Sequence, residues 1–314
     1  MEKKQPLIAV VGPTASGKTA VGIALAKEYN GEVVSADSMQ IYKGMDIATA
    51  KPDEEEMQGI PHHLISELEP TSSFSVAEYV KLAQQKIEDI AARGKIPILV
   101  GGTGLYVSSL IDNINFDNAI TDGSVRKRLT EEAEQIGNEA MLERLREIDP
   151  EAAEKIPAAN LVRVIRALEV YEVTGIPFSR HKELNRMQDS LYNACMIGLT
   201  YKDRNVLYDR INKRVDIMLQ KGLIEECRAV YENEKLGTAC QAIGYKELIP
   251  YFENKKTKEE CIDKIKQYSR NYAKRQLTWF RRDERIQWVE IDEDTAFSTI
   301  IAECKKVVAK TEIL

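Results

Sequence analysis

A glycine-rich string near the N-terminus constrains the fold more than any other feature of this chain. It reads Gly12-Pro13-Thr14-Ala15-Ser16-Gly17-Lys18-Thr19 and matches the pattern G-x-x-x-x-G-K-[ST]. The string follows an apolar run at 7–11 and precedes a helical run at 20–29, which is the strand–loop–helix context of a phosphate-binding loop. The backbone N–H groups of such a loop face an anion, Lys18 adds positive charge, and the Thr19 hydroxyl is placed to bind Mg²⁺. The string therefore predicts a polyphosphate site, without saying whose phosphates it holds.

The rest of the chain alternates short apolar runs with helical patterns. The runs lie at 7–11, 32–36, 96–100, 195–199 and 287–291. That alternation predicts an α/β fold in which a mostly parallel sheet is flanked by helices. Between about 113 and 190 the strand signals stop and the sequence becomes helical and charged. We therefore predict a helical insertion at 113–190 within a P-loop core that is formed by 1–112 and 191–314 and carries further helices near its C-terminal end.

Charge and cysteine usage narrow the class of protein. The 314 residues carry a net charge of -6, which argues against a nucleic-acid partner unless the chain has a local basic patch. The five cysteines are scattered without C-x-x-C pairing, which predicts neither a zinc site nor a disulfide framework and fits a reducing cytoplasm. No segment approaches the roughly 20 apolar residues of a membrane span. We expect a cytoplasmic monomer that does not cross a membrane.

The second apolar run ends beside polar residues. The chain continues there as Asp37-Ser38-Met39-Gln40, which places a carboxylate and an amide at the carboxyl edge of the sheet, beside the phosphate loop. Asp37 is a candidate general base, and from composition alone a turn-forming role for Asp37 and Ser38 is an equally good explanation. A second glycine-rich string at 101–104 contains Thr103. Its glycines permit close approach to a ligand, although a tight turn needs glycine too.

Two adjacent histidines, His62 and His63, would point in different directions on either a strand or a helix. A joint metal site is therefore not expected. We interpret both side chains as structural or hydrogen-bonding groups.

Seven sequence blocks, in order along nearly the whole chain, resemble the tRNA dimethylallyltransferases. The blocks are GPTASGKT, DSMQIY followed by GMDIATAKP, GIPHHLI, GGTGLY, RALEVYEVTG, AIGYKEL and YAKRQLTWFR. Two positions depart from the family pattern, because Ala48 stands where glycine is usual and Ser66-Glu67 replace an aspartate. Neither position carries a residue that we assign to chemistry. The sequence also lacks the Cys/His pattern of the zinc finger that eukaryotic relatives often carry.

The resemblance implies a fold of the P-loop NTPase or kinase type with a helical insertion, and it also implies a reaction and residues for it. A dimethylallyl group would pass from dimethylallyl pyrophosphate to the N6 amine of the adenosine immediately 3′ of the anticodon in tRNA, with release of pyrophosphate. The two substrates would enter a channel from opposite ends. By the same likeness Asp37 is the general base, and Arg210 and Arg214, which share one helix face, bind the pyrophosphate or the tRNA. The other residues near the reacting groups are Thr14, Lys18 and Thr103.

The required basic patch lies near the C-terminus. Between 264 and 282 there are seven basic residues and no acidic one, and Lys266, Arg270 and Lys274 recur at every fourth position, which predicts a basic stripe on a helix. Like charges at this spacing repel unless an anion or solvent screens them, so we predict that the stripe contacts the tRNA anticodon stem-loop. Apolar and aromatic residues on another face are expected to be core. They are Ile265, Tyr268, Tyr272 and Trp279.

Further tRNA contacts follow from the resemblance. Arg126, Arg163 and Arg166 in the insertion are similar to tRNA-contacting positions of the family, and Arg126 would equally suit a solvated surface. The target adenine must be flipped out of a stacked loop, and Gln40 would then hydrogen-bond its edge. The rest of the tRNA-binding set is Asp37, Ser38, Met39 and Thr103.

Three other functions remain open from the sequence. A P-loop small-molecule or nucleotide kinase would bind ATP at 12–19 and a second substrate near Asp37. A non-catalytic RNA-binding module would keep the loop as a relic and bind tRNA without forming a product. An adenylate isopentenyltransferase would use free adenosine monophosphate, but the long insertion and the KRQLTWFR block argue against it. We expect no appreciable ATP hydrolysis, because the implied reaction needs no activated water.

Overall fold

The computed structural model describes residues 4–114, 123–186, 189–232 and 238–313. Within these ranges a single sheet of six strands forms the centre, and all of its strands pair in parallel. The strands are β1 (Gln5–Val11), β2 (Gly31–Ser35), β3 (His62–His63), β4 (Ile96–Gly101), β5 (Tyr192–Tyr201) and β6 (Gln287–Ile291). Five of them overlap the five apolar runs, which confirms the α/β fold with a mostly parallel sheet. The sixth, β3, was not predicted, because two residues carry no readable periodicity.

The strand order brings three loops to one edge of the sheet. In the order β3-β2-β4-β1-β5-β6, β1 lies between β4 and β5, and Val11 at its end pairs with Gly101 and Gly198. β2 lies beside β4, with Ser35 opposite Val100. The loops that follow β1, β2 and β4 therefore leave the same carboxyl edge, where open α/β sheets bind ligands.

Helices cover the sheet, and apolar side chains from α1 and α14 join those of the central strands in one core. No helix in the described ranges is long and apolar enough to span a bilayer. A short 3₁₀ helix spans Thr238–Gln241. The α-helices are α1 (Lys18–Glu28), α2 (Glu54–Met57), α3 (Val76–Ala92), α4 (Gly104–Ile111), α5 (Ser124–Ile136), α6 (Asn138–Ile148), α7 (Pro150–Lys155), α8 (Leu161–Thr174), α9 (Phe178–Arg186), α10 (Arg204–Gln220), α11 (Leu223–Tyr231), α12 (Tyr245–Phe252), α13 (Lys258–Phe280) and α14 (Phe297–Lys310).

The described residues divide into two compact units. One contains the sheet and consists of the chain up to Ile111 together with the chain from Tyr192 onward. The other, Asp112–Leu191, consists of α5 to α9. The buried Asp149 carboxylate ties this helical unit together, because it accepts hydrogen bonds from the Ala152 N–H and from both the N–H and the hydroxyl of Ser179. The core of the helical unit includes Leu129, Met141, Leu145, Val164 and Leu168.

Helix α13 brings its side chains to the carboxyl edge of the sheet. It begins with a capping box in which Thr257 and Glu260 exchange hydrogen bonds with each other's backbone N–H groups. It packs on α10 through a small apolar cluster that includes Ile211 and Leu277. Gln276, which is next to Leu277 near the end of the helix, hydrogen-bonds to the loops after β1 and β4.

Candidate active site

The phosphate loop has the backbone conformation that its glycines permit. Gly12 and Gly17 have φ values of +145° and +89°, which lie in the region that side chains disfavour. A Cβ at Gly12 would lie 2.5 Å from the carbonyl oxygen of Leu199, so only glycine fits there. Lys18 then begins α1, whose unpaired N–H groups and positive dipole end face the loop. The backbone at 12–19 therefore suits an anion.

Lys18 is partly buried beside a second cation. Its ammonium donates a hydrogen bond to the Pro13 carbonyl oxygen at 2.6 Å. Burial lowers the pKa of Lys18 to about 7; the nearby Arg214 guanidinium adds to this effect and the Asp37 carboxylate opposes it. A bound polyphosphate would favour the charged ammonium and raise this pKa again. The positive charges of Lys18 and Arg214 therefore favour binding of an anion at the loop.

Both predicted arginines of α10 face this loop. Arg210 Nε donates to the Ala15 carbonyl oxygen at 3.2 Å, and the Arg214 guanidinium approaches the Thr14 hydroxyl to 3.5 Å. Burial lowers the pKa of Arg214, and the Asp37 carboxylate partly opposes that shift. Since both guanidinium groups lie against the phosphate loop, the geometry favours the pyrophosphate over tRNA as their ligand.

The surroundings of Asp37 are compatible with both of the roles that the sequence left open. Its Oδ1 accepts a hydrogen bond from the Met39 N–H at 2.9 Å, which is a turn-forming contact, and its other oxygen has no hydrogen bond among the described residues. The Ser38 N–H donates to Thr103 Oγ1 at 3.1 Å, and the Thr103 N–H donates to the Ala36 carbonyl oxygen at 3.1 Å. The residues on either side of Asp37 are thus tied to the loop after β4, and one carboxylate oxygen is left to accept a proton.

Two cavities meet at Asp37. The smaller, about 620 Å³, is lined by Lys18 and Thr19 of the phosphate loop. The larger, about 1040 Å³, is more apolar and is lined by side chains that include Ile211, Val215, Met218, Leu223, Ile243 and Ile265. The residues that line both cavities are Thr14, Asp37, Thr49, Arg214 and Tyr272. A polyphosphate site and an apolar space therefore adjoin at one carboxylate.

Gln40 lines the smaller cavity, but its amide already has protein partners. Its Nε2 donates to the carbonyl oxygens of Thr49 and Ala50 at 3.2 and 3.3 Å, and its Oε1 accepts from the Ser35 hydroxyl at 3.0 Å. A contact between Gln40 and an adenine edge would require exchange of these bonds, and it stays a prediction.

The two histidines have separate partners. His62 Nδ1 lies 2.8 Å from the Ile60 carbonyl oxygen, and His63 Nε2 lies 2.7 Å from the carboxylate of Glu32. Burial lowers the pKa of His62, which favours the neutral ring. The hydrogen bonds of both rings fit the structural role expected from the sequence.

Each member of the basic stripe has a partner within the fold, and one of these partners is an acid. Helix α10 runs antiparallel to α13 and offers one partner to each member of the stripe. Lys266 Nζ lies 2.6 Å from the Asp216 carboxylate, which removes the need for an external anion at that position. The other pairs are Arg270 with the Asn212 amide oxygen at 2.5 Å and Lys274 with the ring of Tyr208, whose centroid is 5.6 Å away. The tRNA contact of the stripe stays a prediction, and the ion pair of Lys266 weakens the argument for it from charge repulsion.

The expectation that four residues on another face of α13 are all core is wrong for two of them. Ile265 is buried, but the side chains of Tyr268 and Trp279 are 41% and 42% exposed. Tyr272 lines both cavities, and burial, together with the Asp37 carboxylate, raises its pKa to about 12. Helical spacing placed these residues but could not tell core from cavity wall or surface.

Within the helical unit, two of the three predicted arginines share one carboxylate. Arg126 and Arg166 each donate to the same oxygen of the buried Glu169 at 2.7 Å. Arg163 is exposed. The predicted contact of all three with tRNA stays a prediction.

Glu226 and Gln276 are site residues that the sequence did not indicate. Glu226 of α11 accepts the Tyr245 hydroxyl at 2.9 Å and three successive backbone N–H groups, and it thereby holds the segment that carries Thr49 to both cavities. Those N–H groups, 2.7–3.0 Å from the carboxylate, belong to Asp46, Ile47 and Ala48. Gln276 of α13 is buried and lines the smaller cavity. The only sequence signal for Gln276 is its place in the YAKRQLTWFR block.

Proteins of known name are similar to nearly the whole chain. The IPP transferase family model matches residues 40–283. The tRNA dimethylallyltransferase of Acetivibrio thermocellus is 49% identical over 305 residues, which cover 96% of this chain and 97% of the relative. The tRNA dimethylallyltransferase of Bacillus subtilis is 49% identical over 290 residues, which cover 92% of this chain and 91% of the relative.

Solved structures are similar in fold as well as in sequence. The full-length tRNA isopentenylpyrophosphate transferase of Bacillus halodurans matches with a TM-score of 0.74 and 46% identity, over 98% of this chain and 97% of that one. A eukaryotic dimethylallyltransferase that acts on tRNA matches with a TM-score of 0.82 and 30% identity, over 98% of this chain and 80% of that one. The P-loop type of α/β fold is shared with both.

Proposed function

The chain belongs to the tRNA dimethylallyltransferases, and from that membership we propose how its residues divide the reaction. It transfers a dimethylallyl group to tRNA. The donor is dimethylallyl pyrophosphate, and the acceptor is the N6 amine of the adenosine immediately 3′ of the anticodon. The C1–O bond of the donor breaks as the C1–N6 bond forms. The amine proton passes to a carboxylate, and the electron pair of the broken bond leaves on pyrophosphate.

The observation that carries this assignment is the meeting of the two cavities at Asp37. The phosphate loop with Lys18 lies on one side and the more apolar space on the other. A pyrophosphate held by the loop would direct its C1 carbon toward the boundary that both cavities share. An adenine amine at Asp37 would meet it there, so both reactants converge on the same carboxylate.

Asp37 acts on the acceptor. The exocyclic amine of adenine is a poor nucleophile because its lone pair is delocalised into the ring, so a base that accepts the proton during bond formation lowers the barrier. The carboxylate oxygen that is not used in the turn is the proton acceptor. Thr103, whose hydroxyl accepts the Ser38 N–H, fixes the backbone on the far side of Asp37.

The phosphate loop acts on the leaving group. Negative charge develops on the pyrophosphate as the C1–O bond breaks, and preorganised donors stabilise it. Lys18, Arg210 and Arg214 bring three positive charges to the loop, and Thr14 lies between the loop and Arg214. The partial positive charge on the allylic carbon is tolerated by delocalisation.

The polar end of the smaller cavity fits Mg²⁺. Thr19 lines this cavity, and the hydroxyl of Ser16, three residues earlier in the phosphate loop, is buried with no hydrogen-bond partner among the described residues. Mg²⁺ keeps an octahedral shell of oxygens, most of which come from phosphates and water in phosphate-loop sites. Thr19 would therefore hold the ion together with the donor, where it offsets charge on the pyrophosphate. No group of three or more His, Cys, Asp or Glu side chains within the described ranges could hold a metal by itself.

The tRNA anticodon stem-loop is bound by both units of the chain. Arg126 and Arg163 are exposed basic residues of the helical insertion at 113–190, and Lys274 is an exposed basic residue of the stripe. Arg166 of the insertion, and Lys266 and Arg270 of the stripe, would add contacts. The enzyme acts as a monomer, in the cytoplasm, where its cysteines stay reduced.

Incubation of the protein with tRNA, Mg²⁺ and labelled dimethylallyl pyrophosphate tests the proposal. The label should appear on N6 of one adenosine after digestion to nucleosides, and replacing tRNA by adenosine monophosphate should abolish transfer. Phosphate transfer from ATP without prenyl transfer would indicate a P-loop kinase, which the names of the relatives do not favour. Binding of tRNA without product would indicate an RNA-binding module.

A further inference from the structure

Gln276 connects the two loops that carry the proposed reactants. Its side chain is 5% exposed and belongs to α13. Its Oε1 accepts a hydrogen bond from the Thr14 N–H at 2.8 Å, and its Nε2 donates to the Gly102 carbonyl oxygen at 2.9 Å. Thr14 belongs to the phosphate loop, whereas Gly102 precedes Thr103 in the loop after β4. One amide therefore spans the donor side and the acceptor side of the site.

The connection continues to the proposed general base. The Thr103 N–H donates to the carbonyl oxygen of Ala36, and the Ser38 N–H donates to the Thr103 hydroxyl. These two contacts hold the residues on either side of Asp37. Hydrogen bonds therefore link the phosphate loop to Asp37 through Gln276, with no substrate present.

The space around the amide is fitted to this contact. A Cβ at Gly102 would lie 2.2 Å from Gln276 Nε2, so any other residue would displace the amide. A Cβ at Gly101 would lie 2.2 Å from the Ala36 carbonyl oxygen, so the next contact in the chain also depends on glycine. Tyr272, one turn earlier on α13, lines the same cavity as Gln276 and Gly102. The close packing around the amide and the loop after β4 thus depends on both glycines.

We propose that Gln276 is a positioning residue that sets the separation between the pyrophosphate-bound carbon and the adenine amine. This inference rests on the proposed function. Gln276 need not touch the reacting atoms, because it acts through the Thr14 N–H and the Gly102 carbonyl. Bond formation requires the reacting atoms to approach to about 3–3.5 Å, and a misplacement of about 1 Å costs on the order of 100-fold in rate. The effect of losing Gln276 should therefore appear in the chemical step.

The test uses Gln276→Met in the full chain. Methionine keeps the length and volume of glutamine but can neither accept from Thr14 nor donate to Gly102. The single-turnover rate at saturating tRNA and dimethylallyl pyrophosphate should fall about 100-fold. The dissociation constants for inorganic pyrophosphate and for the anticodon stem-loop, each measured alone, should stay within about threefold of wild type, because the substitution alters no proposed ligand of either.

Two further variants separate positioning from general support of the fold. Gln276→Asn keeps an amide that is one methylene too short to reach both loops, and it should slow the chemical step to a similar extent. Val308→Ala, in the core beside the sheet on α14, should lower the melting temperature and leave the single-turnover rate normal at temperatures where the protein is folded.

The inference is overturned if both Gln276 variants keep rates within about threefold of wild type. It is also overturned if the loss of rate is matched by weaker binding of pyrophosphate or of the stem-loop, because Gln276 would then support one loop only. A wild-type protein that forms no prenylated tRNA would instead overturn the proposed function, and this inference with it.

Discussion

Two groups of positively charged side chains in the sheet-containing unit have different surroundings. Lys266 and Arg270 of the stripe meet polar partners from α10, with the Lys266 ammonium 2.6 Å from a carboxylate. Lys18 and Arg214 lie together and are partly buried, and burial lowers the pKa of both. A positive charge that is paired within the fold has a structural role and needs no ligand to account for it. Positive charge that is partly buried beside like charge is unfavourable until an anion binds, so it indicates a ligand site.

The largest expected effect lies at Asp37, the carboxylate next to the partly buried cations. Asparagine keeps the shape and the turn contact of Asp37 but cannot accept the amine proton. We expect Asp37→Asn to lower the single-turnover rate by roughly 10²–10⁴ while binding of tRNA and pyrophosphate changes far less. Near-normal turnover with tRNA bound would leave Asp37 with its turn-forming role alone.

Replacement of Lys18 should affect pyrophosphate binding as well as rate, unlike replacement of Asp37. Lys18→Met removes a charged donor from the phosphate loop, so it should weaken pyrophosphate binding by roughly 10- to 100-fold and also slow departure of the leaving group. Titration of inorganic pyrophosphate into both variants compares the two effects. Equal pyrophosphate affinity in wild type and Lys18→Met would contradict a ligand role for the partly buried cations.

The same substitution should have opposite effects on stability in the two groups. The folded pKa of Lys18 is about 7, below its unfolded value of 10.5, so the charged form costs folding free energy, and this cost grows as pH falls from 10.5 to 7. Lys18→Met should therefore stabilise the ligand-free protein at pH 7, by on the order of 1–2 kcal/mol. Lys266→Met breaks a partly exposed ion pair and should destabilise it by up to about 1 kcal/mol. Denaturant melts of both variants measure the two signs.

Proton uptake provides a smaller and more specific test of Lys18. Above pH 7 the free ammonium is largely neutral, and a bound pyrophosphate restores its charge, so binding should take up a proton. The affinity for pyrophosphate should then fall by up to about tenfold per pH unit above 7. Calorimetry at pH 8 in buffers of different ionisation enthalpy counts the protons, and Lys18→Met corrects for titration of the ligand itself. Identical uptake in both proteins would contradict the assignment.

The smallest effect should separate members of the stripe. Lys274 is exposed and faces a ring rather than an acid, so Lys274→Ala should reduce the slope of log affinity for tRNA against log salt by about 1, as for one phosphate contact. Lys266→Ala should leave the slope nearly unchanged, because its charge is already paired. Equal slopes for Lys274→Ala and wild type would return the whole stripe to a structural role.

Local patterns in the sequence predicted the parts of the site that are local in the chain. The glycines of the phosphate loop, the strand before Asp37 and the string around Thr103 are each readable within a few residues. Because parallel strands end at one edge, these three loops could be expected to meet, and they line the same cavity.

Contacts between distant residues could not be read from the sequence. Thr14 and Gln276 are 262 positions apart, and no periodicity relates them. The stripe shows the same limit, because its spacing predicted a helix face correctly but gave no sign that Asp216 on another helix would pair with Lys266. The exposure of Trp279 was not predicted for a similar reason. Helical spacing shows which face of the helix carries a side chain, but it does not show whether another element covers that face.

The Thr14–Gln276 contact also bears on the order in which the parts of the protein can fold during synthesis. The ribosome releases the phosphate loop first, yet the strand that follows the insertion, β5, must pair with β1, and Gln276 comes later still. The helical unit is continuous in sequence from Asp112 to Leu191 and can pack its own core as soon as it emerges. A nascent chain therefore completes the insertion, with its proposed tRNA-contacting arginines, well before it can bind dimethylallyl pyrophosphate. A chain truncated before α13 would contain the folded insertion but could not bind the donor.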